Sequence, residues 1–176
     1  IPFRGEYYLL KPAFEYLVNG LIYPVPNPSL PFLGVHFTKL IKGGVEAGPN
    51  AVLALAREGY KWQIINLGEL YESLSYIGLQ KFILKYPLVT SSEILRSLLK
   101  PIFVKSLQRL IPDIKGNMLS SGNAGIRAQL MNTQGDLEQD FDIRIKDNIV
   151  LILNAPSPAA TSSLSISEYV VDKITQ

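Results

Sequence analysis

The chain contains no cysteine, and its only histidine is His36. Disulfides, thiolate nucleophiles and cysteine-bound metals are therefore excluded, and a reducing compartment is compatible with this composition. Long hydrophobic runs are missing too, because Lys, Glu, Pro or Gly interrupts every stretch that approaches the roughly 20 residues needed to span a bilayer. No transmembrane segment is expected. The expected location is the cytoplasm, with peripheral association with a membrane left open.

An excess of charge of one sign is also absent. The 17 Lys and Arg residues against 15 Asp and Glu residues give a formal net charge of +2, which is too balanced for a nucleic-acid-binding protein. What the chain does have is apolar content, at 47% of its 176 residues, enough to bury a core. It begins Ile-Pro-Phe-Arg, without Met, a signal peptide or a polar lead-in, which favours the interpretation that upstream sequence is missing.

The first part of the chain has the pattern of a β-sheet. Aromatic and branched residues separated by turn residues predict strands at 3–11, 16–25, 33–40 and 45–48. Prolines crowd the segment 24–31 and predict an extended loop there. Gly43 and Gly44 are typical of a hairpin turn.

The middle of the chain is predicted to be helical. Apolar residues recur at helical spacing over 67–86, and Ser91-Ser92 is typical of the start of a second helical run to about 111, which Pro101 should kink or divide. Strands are predicted again at 125–131, 141–145 and 149–153, followed by a helix that starts at Ser157-Pro158. This order predicts an α+β fold, with one lobe at 1–115 and part of a second lobe at 116–176.

Six short motifs carry most of the functional information. They are Pro2-Phe-Arg-Gly-Glu-Tyr-Tyr8, Leu21-Ile-Tyr-Pro-Val-Pro26, Phe32-Leu-Gly-Val-His-Phe-Thr38, Gly48-Pro-Asn-Ala-Val-Leu53 with Arg57-Glu-Gly-Tyr60, Ala124-Gly-Ile-Arg-Ala-Gln129, and Asn154-Ala-Pro-Ser-Pro-Ala-Ala-Thr-Ser-Ser163. Together they closely resemble the L-2-hydroxyglutarate oxidase and dehydrogenase family, within the D-amino-acid oxidase type of FAD-dependent flavoprotein. The resemblance spans nearly the whole chain and is weakest at 62–118. The departures from the family pattern are Asn123, where proline is usual, Leu151, where histidine is often found, and the lack of any Gly-x-Gly-x-x-Gly.

The resemblance implies a β-sheet substrate-binding lobe with flanking helices, followed by the C-terminal strands and helix of an FAD-binding lobe. The N-terminal Rossmann part of that lobe, whose glycine-rich turn would receive the FAD pyrophosphate, is missing from this sequence. The implied reaction oxidises L-2-hydroxyglutarate, or a similar 2-hydroxy acid, to the 2-oxo acid. We expect the chain alone to be inactive, not to retain FAD, and to be prone to self-association through exposed apolar surface. The alternative is a non-catalytic remnant, either a small-ligand-binding module or a subunit completed by a separate FAD-binding chain.

His36 is the candidate catalytic base. On a strand, Val35 and Phe37 would face one side and His36 the other, so the imidazole leaves the more apolar face. Oxidation of a secondary alcohol requires removal of the hydroxyl proton, and imidazole titrates close to neutral pH. A lone histidine is otherwise more often structural.

Arg127 is the candidate ligand of the substrate carboxylate, because the resembling family often places its Gly-x-Arg arginine there and a guanidinium fork binds a carboxylate bidentately. The alternative is a surface arginine or a partner of a nearby aspartate. Arg4 and Arg57 are further substrate-binding candidates, since a dicarboxylate needs more than one cation. Asn50 follows Gly48-Pro49, where its amide would either touch substrate or close a turn.

Four tyrosines and the start of the last helix are further candidates for contacts with substrate or flavin. The tyrosines at 7, 8, 23 and 60 could donate hydrogen bonds to substrate, but packing is the better prediction for most of them. The start of the last helix is the candidate flavin contact, because unpaired N–H groups there would stabilise negative charge on reduced flavin. The candidate cofactor-binding residues are Ala155, Pro156, Ser157, Ala159 and Ala160.

Overall fold

The structure is a computed structural model that describes residues 1–25, 34–138, 140–147, 149–155 and 159–175. Its described residues form a mixed architecture of antiparallel sheet and helices. The strands are β1 (Pro2–Leu10), β2 (Leu21–Ile22), β3 (His36–Lys39), β4 (Val45–Gly48), β5 (Val52–Leu53), β6 (Leu119–Ala128), β7 (Asp142–Lys146) and β8 (Ile149–Asn154). The helices are α1 (Leu67–Ser75), α2 (Ile77–Lys85), α3 (Pro87–Leu98), α4 (Lys100–Leu107) and α5 (Ser163–Thr175), with short 3-10 helices at Pro12–Leu17 and Gly116–Met118.

β1 is the central strand of the main sheet. On one side it pairs with β4 and then β5, and on the other with β6 along nearly its whole length. β3 and β2 extend the sheet beyond β4. All of these pairings are antiparallel, and the coarse prediction of a β-sheet with flanking helices is confirmed.

Two apolar clusters hold helices against the sheet. The larger one joins the strand residues Phe37, Val45 and Ala47 to Phe103 and Leu107 of α4. The smaller one packs Phe3 at the start of β1 against Leu79 and Phe82 of α2. Helix α2 therefore packs against the start of β1, and α4 packs against β3 and β4 near the end of β1.

The helical middle differs from the predicted boundaries. The run at 67–86 is two helices, because Tyr76 is extended (φ −70°, ψ 120°) and caps both of them. The next helix begins at Pro87, not at Ser91-Ser92, because proline suits a first helical turn. Pro101 follows a break at Leu99, which is extended, so the predicted division is observed.

Two other predicted elements are wrong. Tyr16 and Leu17, predicted as strand, end a 3-10 helix that starts at Pro12, and only Leu21–Ile22 of that segment is strand. The last helix was predicted to start at Pro158, but residues 159–162 form turns and α5 begins at Ser163. Ser157 and Pro158 themselves lie outside the described residues.

The segment after β6 carries unusually exposed apolar side chains. β7 and β8 form a separate two-stranded sheet, in which Leu151, Ile152 and Leu153 are each about half exposed on alternating faces. α5 likewise exposes Leu164. An isolated hairpin of this kind has little to stabilise it in water.

The predicted boundary between lobes at 115/116 remains a prediction, but β6, which follows it, is part of the main sheet. None of the described helices combines the length and apolar composition needed to cross a membrane.

Candidate active site on the open face of the sheet

The strand register assigns the central side chains to two faces. Phe37 pairs with Ala47, and Ala47 with Tyr8, so these three point to the same side, where the Tyr8 ring contacts Phe103 at 4.8 Å between centroids. His36 is one position from Phe37 and therefore points to the opposite side. The same alternation places Tyr7, Glu46 and Arg127 on the side of His36, through the pairs Leu9↔Glu46 and Phe3↔Arg127. We call this side, defined by Tyr7, His36, Glu46 and Arg127, the open face.

His36 lies half buried on the open face, whereas Val35 and Phe37 are buried in the core, as strand alternation predicted. Its imidazole stacks on the Tyr23 ring, with centroids 4.2 Å apart and planes 15° from parallel. Nδ1 is buried and has no hydrogen-bond partner within the described residues. Burial lowers the pKa of His36 below its ordinary 6.5; the Gly34 backbone opposes this shift, and the charge of Arg127 adds to it by a smaller amount. The imidazole is therefore neutral near pH 7 and able to accept a proton.

Arg127 and Tyr7 form a second pair on this face. The exposed Arg127 guanidinium lies close enough to the Tyr7 phenol to lower the pKa of that phenol. Burial raises the pKa of Tyr7, Arg127 opposes that rise, and the Glu46 carboxylate adds to it. Tyr7 is therefore a neutral phenol at neutral pH and can donate a hydrogen bond.

Gly48 and Gly122 allow the neighbouring strands to approach the backbone at Tyr7 closely. A Cβ added to Gly48 would lie 2.7 Å from the Glu6 carbonyl oxygen, and one added to Gly122 would lie 2.8 Å from the Tyr7 carbonyl oxygen. Gly48 also has φ of +147°, which L-residues rarely adopt. By contrast, a Cβ on Gly125 would meet nothing within 4 Å. Neighbouring strands thus approach Tyr7 closely, while Gly125 leaves the surface beside Arg127 open to a ligand.

The opposite face of β1 carries a buried polar network, and Arg4 belongs to it. Arg4 is fully buried. Its Nε donates to Glu6 Oε1 at 2.9 Å and its Nη1 to the Gly59 carbonyl at 3.2 Å, and its guanidinium lies 4.5 Å from the centroid of the Trp62 ring. Because residues 4 and 7 of a strand point to opposite faces, the structure does not bring Arg4 to His36 and Arg127, so we do not retain it as a substrate ligand.

Asn50 joins the same network. Its Oδ1 accepts the Glu6 backbone N–H at 2.8 Å, and its Nδ2 donates to Glu6 Oε2 at 2.7 Å. Ser97 also donates to Glu6 Oε2, and Trp62 Nε1 donates to Ser97 Oγ at 2.8 Å. The Asn50 amide therefore takes the place of a strand partner in the gap between β4 and β5. Of the two roles that the sequence left open, its contacts favour closing the turn.

Arg57 lies away from the open face. Its side chain is 69% exposed and pairs with Glu72 at 2.7 Å, while its backbone N–H donates to Glu69 Oε2. A surface pair of this kind contributes little to stability. The structure therefore gives Arg57 no contact with His36, Tyr7 or Arg127.

The predicted flavin contacts are only partly described. Ala155 follows β8, and Ala159 and Ala160 lie in the turns before α5, whereas Pro156 and Ser157 lie outside the described residues. Nearby, the buried Asn154 donates to the Asp140 carbonyl at 2.7 Å. The helix start expected at this segment is displaced to Ser163, so its N–H groups lie further along the chain than predicted.

Beside His36 and Arg127, the structure places Tyr7 and Glu46 on the open face and stacks Tyr23 on His36. The sequence left Tyr7 and Tyr23 open between hydrogen bonding to substrate and packing, with packing preferred for most of the tyrosines, and Glu46 was not considered. The signal was present in the alternation: Tyr8 belongs to the buried face, so its neighbour Tyr7 must face away. Tyr23 could not be found this way, because it follows β2 outside any strand.

A half-buried neutral imidazole beside an exposed guanidinium and a phenol is an arrangement suited to enzymes that act on small carboxylic acids, in which the cation orients the acid and the imidazole moves a proton. Comparison with known proteins shows several similar sequences. The chain is 56% identical over 172 residues to a protein of Indibacter alkaliphilus named L-2-hydroxyglutarate dehydrogenase. It is 46% identical to the mitochondrial L-2-hydroxyglutarate dehydrogenase of Caenorhabditis elegans and 41% identical to that of Bos taurus.

These matches cover 98–100% of the chain but only 39–43% of the three relatives, so the chain spans about two fifths of their length. No family model matches it. The chain is homologous, over nearly its whole length, to proteins of the L-2-hydroxyglutarate dehydrogenase family, and the resemblance indicated by its motifs is confirmed.

Proposed function

We propose that this chain supplies the substrate-binding and proton-accepting face of an FAD-dependent oxidoreductase that converts L-2-hydroxyglutarate, or a similar 2-hydroxy acid, to the 2-oxo acid. The observation that carries the proposal is the gathering of His36, Tyr7 and Arg127 on the open face. They come from distant parts of the sequence, and Arg127 is close enough to both His36 and Tyr7 for its charge to shift the pKa of each. The names of the relatives supply the substrate.

His36 acts as the base. Its lowered pKa keeps the imidazole unprotonated near neutral pH, and the stacked Tyr23 ring restricts its orientation. As the C2 hydroxyl of the substrate is oxidised, an imidazole nitrogen takes the hydroxyl proton. Arg127 lowers the pKa in the free protein, and a bound carboxylate would offset that effect, so substrate binding makes His36 a stronger base.

Arg127 binds a substrate carboxylate through two parallel hydrogen bonds. The neutral Tyr7 phenol lies beside it and donates either to the same carboxylate or to the C2 oxygen. Glu46 on the same face disfavours a carboxylate placed near it, so the acid is directed to the Arg127 side. A second cation for the far carboxylate of a dicarboxylate is not present among the described open-face residues Tyr7, His36, Glu46 and Arg127.

The residues present fit only part of an FAD site. When bound, FAD accepts the hydride from C2, which is chemistry that protein side chains do not supply. The sequence has no Gly-x-Gly-x-x-Gly turn for the pyrophosphate. Ala155, Ala159 and Ala160 are small residues at the end of β8 and before α5, and in our proposal this segment lies near the flavin ring. The FAD pyrophosphate is then held by a segment that this chain does not contain.

The exposed hairpin favours a second candidate, in which this chain is a non-catalytic remnant or a ligand-binding subunit completed by a separate FAD-binding chain. Leu151 and Leu153 on one face and Ile152 on the other are all about half exposed, as expected of a surface that further polypeptide covers. Both candidates give Arg127 the same ligand, a small carboxylic acid. They differ in whether the completed protein turns over substrate.

The test uses a chimera in which this chain replaces the matching part of the Indibacter alkaliphilus relative. In anaerobic single-turnover reduction of bound FAD by L-2-hydroxyglutarate, His36→Gln should slow the reaction by about a hundredfold to ten-thousandfold, the usual cost of losing general base catalysis. Arg127→Lys should lower kcat/KM by roughly 10–150-fold, the equivalent of one or two charged hydrogen bonds.

Thermal melting of each variant is the control, because a packing role would lower the melting temperature and leave the chemical step intact. If His36→Gln reduces flavin within a few-fold of the parent and keeps its pH profile, His36 is not the base. A parent chimera that binds FAD and does not reduce it would favour the non-catalytic candidate.

A further inference from the structure

A cavity of about 530 Å³ opens beside β6, between that strand, β1, α3 and the loop that joins β5 to α1. We call it the cavity beside β6. Glu6 and Tyr8 of β1 line it, so most of it lies on the side of the main sheet opposite to His36. Tyr7 also borders it, whereas His36 and Arg127 do not. A recess of this volume is within the usual range of sites for small molecules.

The carboxylate of Glu6, which lines the cavity, is already satisfied by the protein. Its Oε1 accepts the Arg4 Nε–H at 2.9 Å. Its Oε2 accepts hydrogen bonds from the Asn50 amide and the Ser97 hydroxyl. Glu6 therefore contributes a charge that is held by the wall, and it does not offer the cavity a free acceptor.

The neighbouring carboxylates are also engaged. Glu93 lies behind the wall and is 6% exposed. Its Oε1 accepts from Arg96, and its Oε2 accepts the Ala51 backbone N–H at 2.8 Å. Glu58 accepts a hydrogen bond from the Tyr60 phenol, which raises the pKa of Tyr60. The carboxylates around the cavity are thus occupied by donors of the protein itself.

Donors, in contrast, are left over. The exposed Lys61 ammonium lines the cavity and has no hydrogen bond or ion pair within the described residues. The Arg96 guanidinium also lines it, and only its Nη1 is used, by Glu93. Behind Glu6, the buried Arg4 Nη2 has no partner among the described residues. A surplus of cationic donors over free acceptors suits a ligand that supplies acceptor oxygens and negative charge.

We propose that the cavity beside β6 is a second ligand site, which binds a small molecule through a carboxylate or phosphate group held by Lys61 and Arg96. Both groups present the same chemistry, an oxyanion that accepts charge-assisted hydrogen bonds. Tyr8 and Trp62 supply apolar lining for the rest of the molecule. The site requires neither His36 nor flavin, so it stands apart from the proposed reaction.

The test uses a reporter that the chain already contains. Trp62 is the only tryptophan of the 176 residues, and it lines the cavity, so its fluorescence responds to occupation. The chain is titrated with succinate in one arm and inorganic phosphate in the other, with sodium chloride holding the ionic strength constant. A saturable change with half-saturation on the order of 1 mM is expected, because one or two charged hydrogen bonds in an open recess give weak binding. The arm that responds distinguishes a carboxylate from a phosphate ligand.

Four variants locate the binding. Lys61→Ala should weaken it by about tenfold through loss of one charged hydrogen bond, whereas Lys42→Ala, at an exposed lysine of the turn before β4, should leave it unchanged. Ser121 pairs with Tyr8 and faces the cavity, so Ser121→Tyr should fill the recess and abolish the response with both cations in place. Arg127→Ala should keep the response, because Arg127 does not line the cavity. Arg96 stays unchanged, since its loss would leave the buried Glu93 without its ion pair.

Three results would overturn the proposal. The first is the absence of a saturable change in both arms, and the second is an unchanged response in Lys61→Ala or its loss in Arg127→Ala, which would place the anion elsewhere. The third comes from calorimetry of the chimera with the anion that responded, where a lack of saturable heat would mean that further polypeptide occupies the cavity. Each measurement is made without substrate turnover, so a failure here is distinguishable from a failure of the proposed function.

Discussion

Replacing Asn50 with alanine should destabilise the protein strongly, although sequence reasoning also considered Asn50 as a substrate ligand. The Asn50 amide is 3% exposed and satisfies two groups of one residue, the backbone N–H and the carboxylate of Glu6. Alanine leaves the N–H without an acceptor in the gap between β4 and β5. It also leaves Glu6 Oε2 with only the Ser97 hydroxyl among its present donors.

The expected size follows from the two lost bonds. An unsatisfied buried N–H costs about 1–3 kcal/mol, and a hydrogen bond to a charged group contributes about 1.5–3 kcal/mol. Glu6 borders the cavity beside β6, so water can recover part of the second loss. We therefore expect a loss of about 2–4 kcal/mol in the free energy of unfolding. At about 2–4 °C per kcal/mol for a chain of this size, the melting temperature falls by about 5–15 °C.

The assay is thermal unfolding of the chain followed by circular dichroism. Asn19→Ala is the matched control, because Asn19 is exposed and its substitution should change the melting temperature by less than about 2 °C. If Asn50→Ala melts within 2 °C of the parent, the network does not stabilise β1 as argued. Asn50 would then return to the candidates for substrate contact.

Gly48→Ala should lower the melting temperature, because its Cβ would lie 2.7 Å from the Glu6 carbonyl oxygen at φ of +147°, whereas Gly20→Ala, with nothing within 4 Å, should be close to neutral. Since burial depresses the pKa of His36 in the folded state, stability should fall as the pH drops below about 6.5, the ordinary value for histidine. In melts across a pH series that loss should be smaller in His36→Gln, and an identical pH profile would contradict the assigned burial. The purified chain should show no stoichiometric flavin absorbance, because it lacks the glycine-rich turn, and a yellow protein would refute this.

Periodicity predicted the sheet well where one face is apolar. Val35, His36 and Phe37 lie on the faces that alternation assigns, and Gly43 and Gly44 form the turn before β4 with φ of +91° and +93°. Helix boundaries were less accurate. The helical spacing runs through Tyr76 without interruption, so nothing in the pattern marks the extended residue there that separates α1 from α2.

The candidate site was predictable only in part. His36 and Arg127 were predicted as candidates from chemistry and motif, and the structure places both on the open face. The burial of Arg4 had a signal that was not used: Arg4 and Glu6 are two residues apart on a strand, so they share a face and can pair. The contact of Glu6 with Asn50 had none, because it depends on how β4 and β5 separate around Gly48-Pro49.

The two faces of β1 make the strand intolerant of a change in length. Arg4, Glu6 and Tyr8 serve the buried side and Tyr7 the open face, so deleting one residue between Arg4 and Tyr8 would send every later side chain to the opposite side. The deletion would therefore disrupt both the buried polar network of Arg4, Glu6 and Asn50 and the arrangement of side chains on the open face. An insertion in the exposed turn at 41–44 has no such effect, because the strands on either side keep their own register. Point substitutions can therefore alter one face of β1 at a time, whereas a single-codon deletion within it alters both.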